Sequence, residues 1–146
     1  GDLNFDRIVP ETIKHLLFNE PIIIRSDGKF IREFIYVKDA VAAYIELAEK
    51  IEEKGINGEA FNFGTNQPVM ILDLVTKLKY ISCKKDVEIK ILNVAKSEIQ
   101  SQFLSSKKAQ DVIQWRSRYD LENGLEETYK WYKEYFEKLN PNRVNL

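Results

Sequence analysis

The sequence predicts a mixed α/β (α+β) fold of short strands and about five helices. Three observations carry that expectation. Apolar residues recur at helical spacing in five segments, and short β-branched and aromatic runs lie between them. The strands are too few and too short for a complete doubly wound sheet. With 146 residues, 44% of them hydrophobic, the chain buries roughly 70% of the surface its unfolded form exposes, so it folds without disulfides or a metal. Residues 1–140 read as one domain, and 141–146 as a frayed tail.

Asp6 is expected to cap a first helix, in which Val9, Ile13, Leu16 and Leu17 recur and Pro10 sits in the first turn, where its missing N–H costs little. Pro21 ends that helix. Strands are expected at 22–25 and 30–37, joined by Ser26-Asp27-Gly28-Lys29 as a hairpin loop. Residues 38–53 form the clearest helix, with Val41, Ile45, Ala48 and Ile51 on one stripe and a Glu46/Lys50 pair elsewhere; Gly55 and Gly58 close it. A short strand over 60–63 ends at Gly64. A helix at 71–80, a strand at 87–92, a short helix capped by Ser105 or Ser106 and ending near Trp115, and a last helix capped by Asp120 complete the series. The stripe of that last helix is Leu121, Leu125, Thr128, Tyr132, Tyr135 and Leu139.

Composition excludes several classes. A formal net charge of -1 leaves no cluster of uncompensated cations for a phosphate backbone, so no nucleic-acid partner is expected. The longest purely apolar run, 40–45, falls far short of the ~20 residues of a membrane span. One Cys (Cys83) and one His (His15) leave no disulfide framework and no Cys/His metal site. Without a signal peptide, a cytoplasmic location is expected. The opening Gly1-Asp2-Leu3-Asn4-Phe5-Asp6 reads as a loop already under way, so we expect the sequence to continue upstream in a longer protein.

The hairpin is the most informative segment for chemistry. Alternation along 30–37 puts Phe30, Arg32, Phe34 and Tyr36 on one face and Ile31, Glu33, Ile35 and Val37 on the other. Pairing Arg25 with Phe30 would set both arginines on the aromatic face, which suits a ligand carrying phosphates next to a flat ring. Alternatively, Arg32 pairs with a carboxylate across the sheet, and Arg25 is simply solvated. Asn62, between Phe61 and Phe63, must find partners in backbone or ligand. Tyr80/Lys84 and Tyr129/Lys133 satisfy YxxxK, but a chain with seven Tyr and many Lys supplies such matches by chance. Gly55-Ile56-Asn57-Gly58 lacks the third glycine of a dinucleotide fingerprint and precedes a strand where it should follow one. No Walker A loop is present. His15 reads as a helix-packing residue and Cys83 as an inert thiol.

The order of segments nevertheless carries a resemblance. Arg7-Ile8-Val9-Pro10, the run 21–25, Phe30-Ile31-Arg32-Glu33-Phe34, Tyr36-Val37-Lys38-Asp39, Phe61-Asn62-Phe63-Gly64, Ser106-Lys107-Lys108-Ala109 and the run 121–132 resemble the C-terminal half of extended short-chain dehydrogenases acting on nucleotide sugars. This is the NAD-dependent epimerase/dehydratase family. The subgroup most resembled is the CDP-glucose 4,6-dehydratase-like proteins, and the resemblance spans residues 1–138.

What it implies can be written position by position. Arg7 and Ile8, with the segment they open, and Ile22, Ile23, Ile24 and Arg25 would line the nucleotide. Arg32 would grip the diphosphate, and Asn62 would bond the nucleotide sugar. Asp39 would cap the long helix. Residues 96–100 lack the arginine or histidine that supplies a further phosphate contact there, and Met70 stands where the family has a Ser or Thr helix cap. The glycine-rich NAD loop and the catalytic Ser/Thr, Tyr and Lys belong to the half that this sequence does not match. The implied function is therefore the substrate-binding lobe of a nucleotide-sugar 4,6-dehydratase or 4-epimerase, with NAD held elsewhere and no catalytic residue here. A homo-oligomer is compatible with it, and an apolar surface is expected along Val41, Ile45 and Ala48 and along 61–63. A phosphate-ligand module without chemistry and a protein-interaction domain are the competing readings.

Overall fold

The computed structural model describes residues 1–95 and 98–139. The tail expected over 141–146 lies outside the described residues, as do Lys96 and Ser97. The chain divides into two compact units and passes between them several times. The first comprises Gly1–Phe30, Met70–Gln100 and the chain from Leu125 on; the second comprises Ile31–Val69 and Ser101–Gly124.

In the first unit, α1 (Ile8–Leu17) buries Ile13, Leu16 and Leu17 of the expected stripe together with Pro10 and Thr12, while Val9 of that stripe is half-buried. It packs on β1 (Ile22–Ile24) and on α3 (Ile71–Ile81), which buries Ile71, Leu74, Val75 and Leu78. His15 Nδ1 lies 2.5 Å from the Pro21 carbonyl, tying the end of α1 to the start of β1. From Leu125 on, α5 (Leu121–Leu139) contributes Leu125, Tyr132 and Phe136 to the core. Phe136 was not on the expected stripe; it packs against Phe5 and Phe18.

The hairpin does not form. β1 pairs in parallel with β4 (Ile89–Ile91), in the register Ile22 to Ile89 and Ile24 to Ile91. The carbonyls of Ile24, Arg25 and Ser26 accept the N–H groups of Leu92, Val94 and Asn93, so this edge is used beyond the strand itself. Ser26 Oγ and Asp27 Oδ1 accept the N–H groups of Gly28 and Lys29 and bend the chain away. The Gly28 and Phe30 carbonyls then accept the N–H groups of Leu72 and Ile71. These two bonds satisfy the first donors of α3 and replace the side-chain cap that Met70 cannot supply. Gly28 makes the approach possible: its φ is +81°, and a Cβ there would lie 3.3 Å from Leu72 Cβ.

In the second unit the strand expected over 30–37 shrinks to β2 (Ile31–Arg32), which pairs in parallel with β5 (Ser101–Gln102); β3 (Val69–Met70) lies on its other side. The expected strand over 60–63 is extended chain without a ladder. Helix α2 (Val37–Lys50) and helix α4 (Lys107–Ile113) enclose a core of Ala43, Ile56, Ala109, Ile113 and Trp115. Phe63 meets the Trp115 ring edge-on at 5.0 Å. Gln114, at φ +58°, ends α4, and Lys50 Nζ donates to the Ile113 carbonyl at 2.5 Å. Asp120 caps α5 as expected, accepting the Asn123 N–H at 2.8 Å.

Asp39 does not cap α2. The helix starts at Tyr36 without a side-chain cap, and the Asp39 carboxylate, 1% exposed, instead accepts the N–H groups of Arg118 and Tyr119 at 3.0 Å each. The same loop lays Tyr119 on Tyr36, ring centres 4.6 Å apart, with the Lys38 ammonium 5.7 Å from each ring. Gly124 sits against Tyr36, where a Cβ would lie 3.2 Å from Tyr36 Cβ. Replacing Asp39 by Ala orphans two donors in a buried place, at a cost of about 2 to 4 kcal/mol. Denaturant unfolding should show that loss as a lower midpoint at unchanged slope, with Asp39→Asn, which keeps one acceptor, losing less.

Candidate functional site

The candidate residues divide between the units: Arg7, Ile8, Ile22, Ile23, Ile24 and Arg25 lie in the first, Arg32 and Asn62 in the second. In the first unit, Arg7 is the N-cap residue of α1, with extended backbone and no side-chain cap. Asp6 therefore does not cap the helix; its carboxylate faces Arg25 at 3.8 Å, while Arg7 lies 3.1 Å from Asp2. Both pairs are exposed, and such pairs contribute about 0 to 1 kcal/mol, so a ligand anion competes for either guanidinium at little cost. Ile22 and Ile24 are 0% and 1% exposed, so their side chains belong to the core. Ile23, on the other face of β1, is half-buried and presents its side chain. Ile8 is half-buried in the first turn of α1. Thr12 Oγ1, one turn further on, is buried with no partner among the described residues.

The loop that pairs with the arginines is itself held. Asp2 Oδ1 and Asn4 Oδ1 accept the N–H groups of Asn4 and Asp6 at 3.0 Å. Phe5 packs on Tyr132 and Phe136, and the Tyr132 hydroxyl donates to the Asp2 carbonyl. Burial, and then the Asp2 charge, raise the Tyr132 pKa above its ordinary value. Burial also raises that of Tyr129, helped by Cys83 and Glu137.

In the second unit Arg32 stands on β2 opposite Gln102, half-buried, with Nη1 donating to the Ile31 carbonyl at 2.8 Å. Asn62 is exposed, so water meets the hydrogen-bonding need that a buried strand position would have imposed. Its neighbours Phe61 and Phe63 pack on the core cluster, and Lys108 lies 4.4 Å over the Phe61 ring. Sequence reading missed Glu33. Its carboxylate accepts Thr65 Oγ1 at 3.1 Å, the Asn66 N–H at 2.5 Å and the Leu104 N–H at 3.0 Å. Gly64 is packed against it, and a Cβ there would lie 2.7 Å from Glu33 Oε2. The legible signal was the donor-rich Gly64-Thr65-Asn66 turn, but nothing in the sequence says which carboxylate it meets.

The turn at 55–58 does not fit the diphosphate of NAD. Gly55 and Gly58 lie in an exposed turn with open space around them, and no helix starts there to present N–H groups. At the two YxxxK matches, Lys85 covers the Tyr80 ring, and Lys133 faces Glu137 at 3.9 Å. Among the described residues no group of His, Cys, Asp and Glu is placed to hold a metal, and no helix is long and apolar enough to cross a membrane.

Comparison with known proteins shows what the chain is similar to. A family model described as "NAD dependent epimerase/dehydratase family" matches residues 2–64. The chain is 28% identical over 116 residues to a UDP-glucose 4-epimerase of Dictyostelium discoideum, covering 80% of this chain and 32% of that protein. It is 26% identical over 137 residues to the human dTDP-D-glucose 4,6-dehydratase, covering 90% and 38%. Among solved structures, the UDP-glucuronic acid 4-epimerase of Bacillus cereus, in complex with UDP-glucuronic acid and NAD, superposes with a TM-score of 0.81 at 28% identity, over 89% of this chain and 40% of that one. The chain thus spans about a third to two fifths of the length of these relatives. It has the mixed α/β fold of the matching region of Rossmann-like epimerases and dehydratases, and its homologues are nucleotide-sugar enzymes.

The raised tyrosine pKa values carry a pH dependence whose sign is fixed. A group with a higher pKa folded than unfolded stabilises the fold below its unfolded pKa, about 10 for Tyr, and loses that contribution as pH rises through the folded value. Thermal unfolding across pH 8 to 11.5 should therefore show stability falling above about pH 10. The fall should be shallower in Tyr132→Phe; an identical slope would remove Tyr132 from the cause.

Proposed function

We propose that this chain is the substrate-binding lobe of an NAD-dependent nucleotide-sugar 4,6-dehydratase of the CDP-glucose type, with NAD held by a part of the protein outside this sequence. What supports a nucleotide-sugar lobe, whichever reaction the whole enzyme performs, is the match over 89% of this chain to an enzyme solved with a nucleotide sugar; what supports the dehydratase reading is the match to the human dTDP-D-glucose 4,6-dehydratase. A 4-epimerase lobe is the second reading, favoured by the UDP-glucose and UDP-glucuronic acid 4-epimerases among the relatives. Both readings ask the same work of this chain, which is to bind and orient.

In this reading Arg32 takes the diphosphate through its planar fork, Asn62 bonds the nucleotide sugar, and Arg7, Ile8, Arg25 and the backbone of residues 22–24 line the nucleotide. The buried Ile22 and Ile24 contribute rigidity and main chain, not side-chain contact. No acid, base or hydride-handling group is assigned to this chain. The exposed apolar face of α2, with Val37 63%, Val41 51% and Ile45 52% exposed, is the surface on which the NAD-holding part packs. Phe61 and Phe63, expected on such a surface, are instead half-buried in the second unit's own core. With this α2 face uncovered, we expect the chain to self-associate into homo-oligomers with rising concentration, and sedimentation should show Val41→Lys and Ile45→Lys reversing this.

Calorimetric titration with CDP-glucose, UDP-glucose and NAD tests the reading. A nucleotide sugar should bind saturably, and NAD should not bind more tightly than ~100 μM, about 5.5 kcal/mol. A charge-assisted, bidentate contact is worth about 1.5 to 3 kcal/mol, so Arg32→Ala should weaken the sugar nucleotide roughly 10- to 150-fold, and Arg32→Lys should restore part of that. Arg25→Ala should cost less. Unchanged binding with a lower melting temperature in Arg32→Ala would assign this arginine to the fold alone.

A further inference from the structure

Resting on that reading, we infer that Glu33 is a positioning residue which fixes the Asn62-bearing chain against the Arg32-bearing strand within the second unit. Arg32 and Glu33 are neighbours along the backbone, so whatever the Glu33 carboxylate holds is registered to Arg32. It holds a hydroxyl and two backbone N–H groups from two remote segments, Thr65 and Asn66 on one side and Leu104 on the other.

The chain between Phe61 and Asn66 is clamped at both ends. Phe61 and Phe63 are anchored in the core cluster, and the Gly64–Asn66 turn is anchored on Glu33. Asn62, between two half-buried aromatics, is left exposed on a stretch held at both ends. Asn66 extends the clamp: its Nδ2 donates to Ser106 Oγ at 2.8 Å, its Oδ1 accepts the Ser106 N–H at 3.4 Å, and its own φ is +57°. Gly64 is needed because a side chain would collide with the carboxylate. The donors are neutral, so the carboxylate works as a fixed acceptor for loops, a positioning role and not a catalytic one.

The test is a double-mutant cycle on this chain, read by calorimetry with whichever of CDP-glucose and UDP-glucose the unaltered chain binds more tightly. Glu33→Gln turns amide hydrogens toward the donors and should weaken binding roughly 5-fold; Asn62→Ala should weaken it about 10-fold, the scale of one hydrogen bond. If Glu33 acts through Asn62, Glu33→Gln in the Asn62→Ala background should cost less than about 2-fold. Gly64→Ala should reproduce Glu33→Gln, and Thr65→Val, which removes one donor, a fraction of it even where Glu33→Gln fails to fold. Hydrogen exchange should show the Asn66 and Leu104 amides losing protection in Glu33→Gln. An equal cost of Glu33→Gln in both backgrounds overturns the positioning role while leaving the substrate-lobe reading intact. Failure of the unaltered chain to bind either sugar nucleotide at millimolar concentration overturns both.

Discussion

A strand of three isoleucines that pairs in parallel cannot be followed at once by its partner, and much of this chain's layout follows from that constraint. Parallel neighbours need a crossover, because the chain must return to the same end before running in the same direction. Between β1 and β4 the return is made through α3, and the chain also builds most of the second unit on the way. Had 22–25 and 30–37 closed a hairpin, Arg25 and Arg32 would have shared a face. The parallel pairing puts them in separate units instead, each with its own backbone support.

The second dependence is on carboxylates that accept backbone N–H groups. Asp39 and Glu33 each gather backbone donors from segments tens of residues away. Such bonds are charge-assisted and directional, so they fix loop positions where a short two-residue strand cannot. The exposed pairs of Arg7 with Asp2 and Arg25 with Asp6 are of another kind, weak and exchangeable. The two kinds suit different tasks, one holding the frame and the other leaving cations available.

Helices were legible in the sequence because their signal is local. About five were expected and five form among the described residues, with Ile13, Leu16 and Leu17 of α1 buried as their spacing required and Asp120 capping as its position suggested. Caps failed where the acceptor is engaged elsewhere: Asp6 faces Arg25 and Asp39 holds the 118–119 loop, whereas at α4 Ser106 is the N-cap residue and the Ser105 hydroxyl accepts the Lys107 N–H, as one of the two was expected to. Strands were legible as apolar runs but not as pairings, because parallel register is decided by a partner far away in sequence. Arg25 and Arg32 came from the alternation of the expected hairpin and Asn62 from its place between two phenylalanines, with the ordered resemblance assigning their roles and adding Arg7, whereas Glu33 was hidden because an acid beside a short strand looks the same whether it faces water or three donors.

Helix α2 shows why a correct periodicity can still misplace a core. Its sequence carries two apolar stripes. Ala43, Leu47 and Ile51, in line with Asp39, turn to the second unit's own core, while Val37, Val41, Ile45 and Ala48 turn outward. The outward stripe has more β-branched residues, and three of its members, Val41, Ile45 and Ala48, belong to the stripe that a reading of hydrophobicity selects, whereas Ile51 of that same stripe turns inward. The inward stripe is selected by space, since the small Ala43 lets Ile113 and Trp115 approach. A helix apolar on two sides stabilises a surface larger than one unit can cover. The stripe the sequence announces most clearly is therefore the one whose burial this unit does not itself complete, and the quieter stripe is the one that folds it.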